Sequence, residues 1–212
     1  MEIVTPRLVS NLVNPQKKIL FLGYDETQTK IISLLIEQRC EVWHTNEKII
    51  STAGYDLIIS FGYKHIIASN TIKKSAVPIV NLHISYLPWN RGAHPNFWSF
   101  YDNTPSGVTI HLIDDGIDTG PIIFQKRIRF SNKNITFFES YKVLINEIES
   151  LFIAKINAII SNEYSAIEQR DIGSFHKRSD LPINFKGWDS HIQSEVNRLK
   201  ILENRLSPND KN

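Results

Sequence analysis

A chain of 212 residues, 42% of them hydrophobic, is long enough to bury one full core and leaves no room for a second catalytic domain. Its 24 Lys and Arg nearly balance 22 Asp and Glu, and a formal charge of only +2 gives no global field to draw in nucleic acid. The single cysteine, Cys40, excludes an internal disulfide and a thiolate zinc site, and neither a signal-peptide pattern nor an apolar run of about 18 residues occurs, so a soluble, cytoplasmic protein without membrane contact is expected.

Residues 18–24 (KILFLGY) form a short apolar run ending near Gly23, which predicts a buried strand, and the dense Ile31, Ile32, Leu34, Leu35 and Ile36 predict a helix over 27–39. Three further β-branched runs follow at 40–45, 56–62 and 78–84, with room for a helix in only part of each gap. This is the rhythm of an α/β fold, here a Rossmann-like, open, mainly parallel sheet with helices on both faces. Gly23 is followed by Tyr24, Asp25 and Glu26, so the GxGxxG dinucleotide fingerprint is absent. A short helix over 96–101 precedes two alternating segments, 107–113 and 121–130, joined by the loop DDGIDTG. From 136 to 160, Phe138, Tyr141, Leu144, Ile145, Ile148, Leu151 and Phe152 recur at helical spacing and predict a long helix on the sheet. Beyond it come a small strand with a basic turn in 173–182 and a helix in 187–204, whose apolar Ile192, Val196, Leu199 and Leu202 point to a homodimer. The expected organisation is a main domain over 1–162, its first 16 residues an arm, and a short C-terminal extension over 163–212 for dimer or substrate contacts.

Chemistry concentrates in 81–92 (NLHISYLPWNRG) and 107–120 (GVTIHLIDDGIDTG), where Asn81, His83 and Asp118 fall at strand ends or turns. Taken singly, His83 reads more readily as a core histidine, while a strand-end cap is the alternative for Asn81 and an Asx turn, like Asp114 and Asp115, the alternative for Asp118. In register, the two segments resemble the folate-dependent formyltransferases that act on glycinamide ribonucleotide, methionyl-tRNA or nucleotide sugars. That family runs Asn, apolar, His, then Ser, Leu-Pro and Arg-Gly, and later a GVT strand into an Asp-x-Gly-x-Asp loop closed by Gly. This chain supplies Asn81, Leu82, His83, Ser85, Leu87-Pro88, Arg91-Gly92, Gly107-Val108-Thr109, and Asp114 through Gly120. The likeness covers about residues 17–160, and Ile84 is a departure that touches no reactive group.

The resemblance implies transfer of a formyl group from 10-formyltetrahydrofolate to an amine. Charge then develops on an oxyanion that needs donors already in place, here Asn81 and protonated His83. The amine sheds a proton and the folate nitrogen gains one, so a group titrating near neutrality is wanted, which is His83. Asp118 would raise the imidazole pKa and relay a proton through water. The folate would lie at the carboxyl ends of the strands, held by the loop carrying Phe61, Gly62, Tyr63 and Ile66 and by Asp114. No metal is expected, because the remaining histidines lack ligand spacing.

For the acceptor, the tRNA-directed members carry about 100 more residues as a β-barrel. Glycinamide ribonucleotide members begin with a Gly-rich phosphate loop, where this chain places Asp25 and Glu26. The segment 88–100 (PWNRGAHPNFWSF) and the later FHKRSDLP resemble the members that act on nucleotide-linked 4-amino-4,6-dideoxysugars in bacterial O-antigen synthesis. Tyr86, Arg91, Lys177 and Arg178 are the candidate contacts for the sugar diphosphate and its base, with no nucleic-acid partner. A non-catalytic folate or nucleotide-sugar binder is the reading from another class.

Overall fold

The structure is a computed structural model describing residues 5–131, 134–170 and 172–206. Its elements run β1 (Arg7–Ser10), β2 (Lys17–Gly23), α1 (Ile31–Glu37), β3 (Cys40–Thr45), β4 (Leu57–Phe61), α2 (Ser69–Lys73), β5 (Ile79–His83), β6 (Arg91–Gly92), α3 (Pro95–Tyr101), β7 (Ser106–Leu112), β8 (Ile122–Ile128), α4 (Phe137–Ser161), β9 (Phe175–His176), a 3-10 turn (Arg178–Asp180) and α5 (Ile192–Leu206). The large sheet has the order β1-β3-β2-β4-β5-β7-β8. Its centre, β3-β2-β4-β5, is parallel, while β1 joins one edge and β7 the other antiparallel.

The centre is apolar on both faces, as expected of a parallel sheet covered on both sides. In β2, Ile19 and Phe21 pack with Leu35 of α1 and with Leu144, Ile148 and Phe152 of α4. Leu20 and Leu22, equally buried, meet Ile49, Ile58, Ile67 and Ile79 on the opposite face. That second face carries the short α2 and loops, so the helices cover the two faces unequally. No helix among the described residues is long and apolar enough to cross a membrane.

Several boundaries differ from expectation for local reasons. α1 starts at Ile31 rather than 27 because the Asp25 carboxylate takes the Thr27 amide (2.9 Å) and hydroxyl (2.6 Å), closing a turn first. α4 starts where Thr136 and Glu139 form a reciprocal capping box. The last helix begins only at Ile192, because the Phe138 and Phe137 amides donate to the Trp188 and Ser190 carbonyls (2.8 and 3.2 Å) and hold 188–190 out of the helix. The apolar face of α5 is a correction to the dimer argument. Ile192, Val196 and Leu199 are buried against Phe97, Trp98 and Phe137 of the same chain, so this face is already covered. The extension is further tied down by β9 pairing with β6, and by an antiparallel bridge between Ile167 and Ile122 at the start of β8.

Candidate active site

Alternation along β5 turns Asn81 and His83 to one face and buries Leu82 in the core beneath α1 and α4. The antiparallel register sets His111 of β7 opposite Asn81 and Thr109 opposite His83. Asp118 comes from the loop between β7 and β8 in a left-handed conformation, φ 53°. Its Oδ2 lies 3.7 Å from His83 Nδ1 and accepts the Gly92 amide at 2.8 Å. Its Oδ1 lies 3.5 Å from Asn81 Nδ2 and 3.6 Å from His111 Nε2. Asn81, His83 and Asp118 therefore converge, and the cluster gains His111 as a fourth member.

Electrostatics assign states to these groups. Burial pushes His83 below its ordinary value, and His111 adds to this, while Asp118 and the Asn90 carbonyl push up without offsetting it. The imidazole is thus neutral near pH 7, which corrects the expectation of a protonated, pKa-raised His83. The Asp118 contribution has the expected sign, but desolvation exceeds it. For Asp118 burial acts upward, yet His83, His111 and the Gly92 amide together hold the carboxyl well below the usual range, so it is ionised. His111 Nδ1 lies 2.8 Å from the Leu112 carbonyl and its Nε2 3.1 Å from Asn81 Nδ2, so the ring bridges the β7 backbone and the Asn81 amide.

The surrounding loop is held by buried polar groups. Thr109 Oγ1 donates to the Ser85 carbonyl (2.6 Å) and accepts the Leu87 amide (3.2 Å), and the Ser85 hydroxyl donates to the Trp89 carbonyl. Asn90 is tied to Thr104 and Ser174 through its side chain. Gly92 has φ +86°, and a Cβ there would collide with the His176 carbonyl of β9.

Asn81, His83, His111 and Asp118 open onto a cavity of about 560 Å³. Phe61, Gly62, Tyr63, Ile66 and Asp114, expected on the cofactor side, all line it, as does Arg178. Gly62 sits at φ +68° with the Tyr24 ring where a Cβ would be. The Tyr63 hydroxyl is turned outward, donating to the Glu47 carbonyl (2.8 Å) and accepting the Ile49 amide (3.1 Å), so Tyr63 contributes wall rather than a donor. Asp114 spends Oδ1 on the Gly116 amide (3.1 Å) and Thr119 hydroxyl (2.6 Å), an Asx turn that shapes the loop. Ile66, 74% exposed, and Ile117, 43% exposed, give the cavity an apolar, open lip suited to a flat ring.

Three expected substrate contacts lie elsewhere. Tyr86 is half-buried against Gly107 and does not line the cavity. Arg91 points away, its Nε and Nη2 donating to Gln169 Oε1 (3.1 and 2.7 Å) and its Nη1 to the Ile172 carbonyl (3.2 Å). Lys177 is exposed and outside the cavity, its backbone amide capped by Asp180 at 2.7 Å. Sequence reasoning missed His111, Gln169 and Asn90. Of these only His111 had a signal, its matching parity with Thr109 in the GVTIHLI strand.

A smaller apolar cavity of about 300 Å³ adjoins the first, sharing Ile84, Pro95 and Tyr141 and closed by His94, Phe138 and Trp188. The His94 and Trp188 rings are 5.3 Å apart.

The sequence pattern of the formyl transferase family matches residues 12–150. A solved structure of the formyltransferase PseJ from Anoxybacillus kamchatkensis, in complex with UDP-4,6-dideoxy-4-formamido-L-AltNAc and tetrahydrofolate, is 37% identical, with a TM-score of 0.77 over 86% of this chain and 99% of that one. The dTDP-4-amino-4,6-dideoxyglucose formyltransferase of Mycobacterium bovis is 31% identical over 184 residues, 84% of this chain and 75% of that protein. The methionyl-tRNA formyltransferase of Clostridium novyi is 32% identical over a shorter 117 residues, 55% of this chain and 38% of its own length.

Proposed function

Because the chain belongs to the formyl transferase family, we propose that it moves a formyl group from 10-formyltetrahydrofolate to the amine of a nucleotide-linked 4-amino-4,6-dideoxysugar. The convergence of Asn81, His83 and Asp118 on one cavity wall carries the chemistry. The relative seen with a UDP-linked formamido sugar, matched over nearly its whole length, supports the acceptor class.

The bound folate supplies the formyl carbon and the leaving nitrogen. Asn81 Nδ2, oriented by His111, donates to the formyl oxygen as it gains charge, replacing its long contact to Asp118. Neutral His83 accepts the proton that the amine sheds as the new C–N bond forms. The ionised Asp118 stabilises the imidazolium for the time it exists. His83 then returns that proton to the departing folate nitrogen, so the proton count closes within the site. The apolar lip of Ile66 and Ile117 receives the folate ring, and Arg178 on the same wall offers a cation to the diphosphate.

The first loop argues against a ribonucleotide phosphate, since Glu26 is paired with Arg7 at 2.8 Å and Asp25 closes its own turn. A place in surface-polysaccharide synthesis in the cytoplasm is part of the same proposal. The expectation of a homodimer has lost the helix it rested on.

The test is to incubate the purified chain with 10-formyltetrahydrofolate and a panel of UDP- and dTDP-linked 4-amino sugars, in chelator-treated buffer, and follow tetrahydrofolate release and the gain of one formyl group by mass. Turnover is expected with at least one of them. Efficient formylation of methionyl-tRNA or glycinamide ribonucleotide, with none across the panel, would remove the sugar assignment; binding without turnover on any amine would favour the non-catalytic reading. Within the same assay, His111→Leu, which removes the ring that orients Asn81, should lower kcat about tenfold with KM little changed, the scale of one lost hydrogen bond. His111→Gln, which can still hydrogen-bond, should recover part of it, and a His111→Leu enzyme as fast as wild type would show that Asn81 needs no such partner.

A further inference from the structure

We propose that Gln169, on the segment after α4, is a positioning residue that holds Asp118 against His83. Its Nε2 donates to the Asp118 carbonyl at 2.9 Å and to the Gly120 carbonyl at 2.7 Å, so both amide hydrogens grip the loop that carries the carboxylate. Its Oε1 accepts from Arg91 Nε and Nη2 at 3.1 and 2.7 Å. A guanidinium can only donate, so Arg91 leaves one orientation for the amide and aims its hydrogens at the two carbonyls.

Asp118 needs such a hold. Its φ of 53° is an uncommon conformation for a residue other than Gly, one that Asn and Asp tolerate best. One side of the residue is fixed by Gly92, whose amide takes the carboxylate at 2.8 Å. Gln169 fixes the other, the backbone carbonyl. The reach is geometric rather than accidental. Ile167 and Ile122 exchange two hydrogen bonds of 2.8 Å in an antiparallel bridge, and one pleat further that register sets Gln169 opposite Gly120. Gln169 lies beyond residues 12–150, the part matched by the family pattern, so this clasp is a feature of the extension. The same contacts explain why Arg91 is unavailable to substrate: it completes the clasp from β6.

The inference deepens the proposed formyl transfer, so its test carries a readout that does not depend on turnover. Gln169→Ala should lower kcat roughly 10- to 100-fold while both KM values move less than about threefold, the pattern of a displaced reacting group. The imidazole of His83, assigned by its loss in His83→Gln, should titrate at a lower pH in Gln169→Ala than in wild type, because the carboxylate that favours its charged form has moved away. The other charged or imidazole groups facing that ring and its cavity, His111, Lys64, His65, Asp114, Asp115 and Arg178, are kept in the variant. Gln169→Glu keeps the length and the Arg91 pairing but has no hydrogens for the two carbonyls, and should lower kcat as Gln169→Ala does. It also decides the matter should the Ala variant fold poorly. The proposal is overturned if Gln169→Glu matches wild type, or if either variant loses thermal stability while kcat and the His83 titration stay put. Wild-type protein inactive on every amine would count against the formyl-transfer reading instead, and the His83 titration would still decide the clasp.

Discussion

Replacing His83 by Asn should reduce kcat by roughly 10²- to 10⁴-fold, the range for a lost general acid/base group, with KM for either substrate changed far less. Asn can occupy the space but cannot accept and return a proton. The pH profile sharpens the test. Burial holds His83 below its ordinary value, so the imidazole remains a base at pH values where a free histidine is half charged, and the acid limb of kcat should fall below about pH 6.5. The same shift has a stability consequence. The folded-state pKa is lowered, so below about pH 6.5 the unfolded chain takes up a proton that the native state refuses, and stability declines with acid. His83→Asn should therefore melt with a shallower loss between pH 7 and pH 5 than wild type. Unchanged turnover, or an acid limb at or above that of free histidine, would remove His83 from the role given to it.

Asp118→Asn is the second substitution with a large expected effect, on the order of 10²-fold in kcat or more. Asn tolerates the left-handed backbone at this position well, so the substitution removes the charge and leaves φ near 53°. What is lost is the stabilisation of the transient imidazolium at 3.7 Å. Because Asp118 is the larger of the two groups that push His83 upward, its neutralisation should move the acid limb to still lower pH. Asp118 also brings its own linkage. Its folded-state pKa is depressed, so the stability it confers is present above the unfolded carboxylate value and is lost as pH falls through the folded one. An Asp118→Asn enzyme with full turnover and an unmoved acid limb would show that the carboxylate does not act through His83.

What could be read from the residues alone follows from the range over which each signal acts. The two-residue spacing of Asn81 and His83 needs only strand alternation, so their shared face was legible. The capping pair Thr136 and Glu139 is equally local, and the start of the long helix came out within one residue. His111 joins the site only because β7 runs antiparallel to β5 in one register, a long-range pairing that no local pattern encodes. Arg91 was misassigned for a related reason: a cation beside a reactive motif looks available until its partner, Gln169, is known. The neutrality of His83 was illegible too, because desolvation depends on the whole shell around the ring.

The clasping of the site by its own tail bears on the order in which the working enzyme comes into being. Asn90 rests its amide on Ser174 at 2.8 Å, Ala93 donates to the His176 carbonyl at 2.9 Å, and Gln169 holds the carbonyls flanking the acidic loop. All of these partners are synthesised after the sheet and α4, whose strands can pair as they leave the ribosome. A nascent chain stopped after α4 would thus own every reacting group and the Gly92 and His111 contacts, yet lack these later ones. The site loops thus reach their full set of contacts only once residues 169–176 have folded back across the sheet edge.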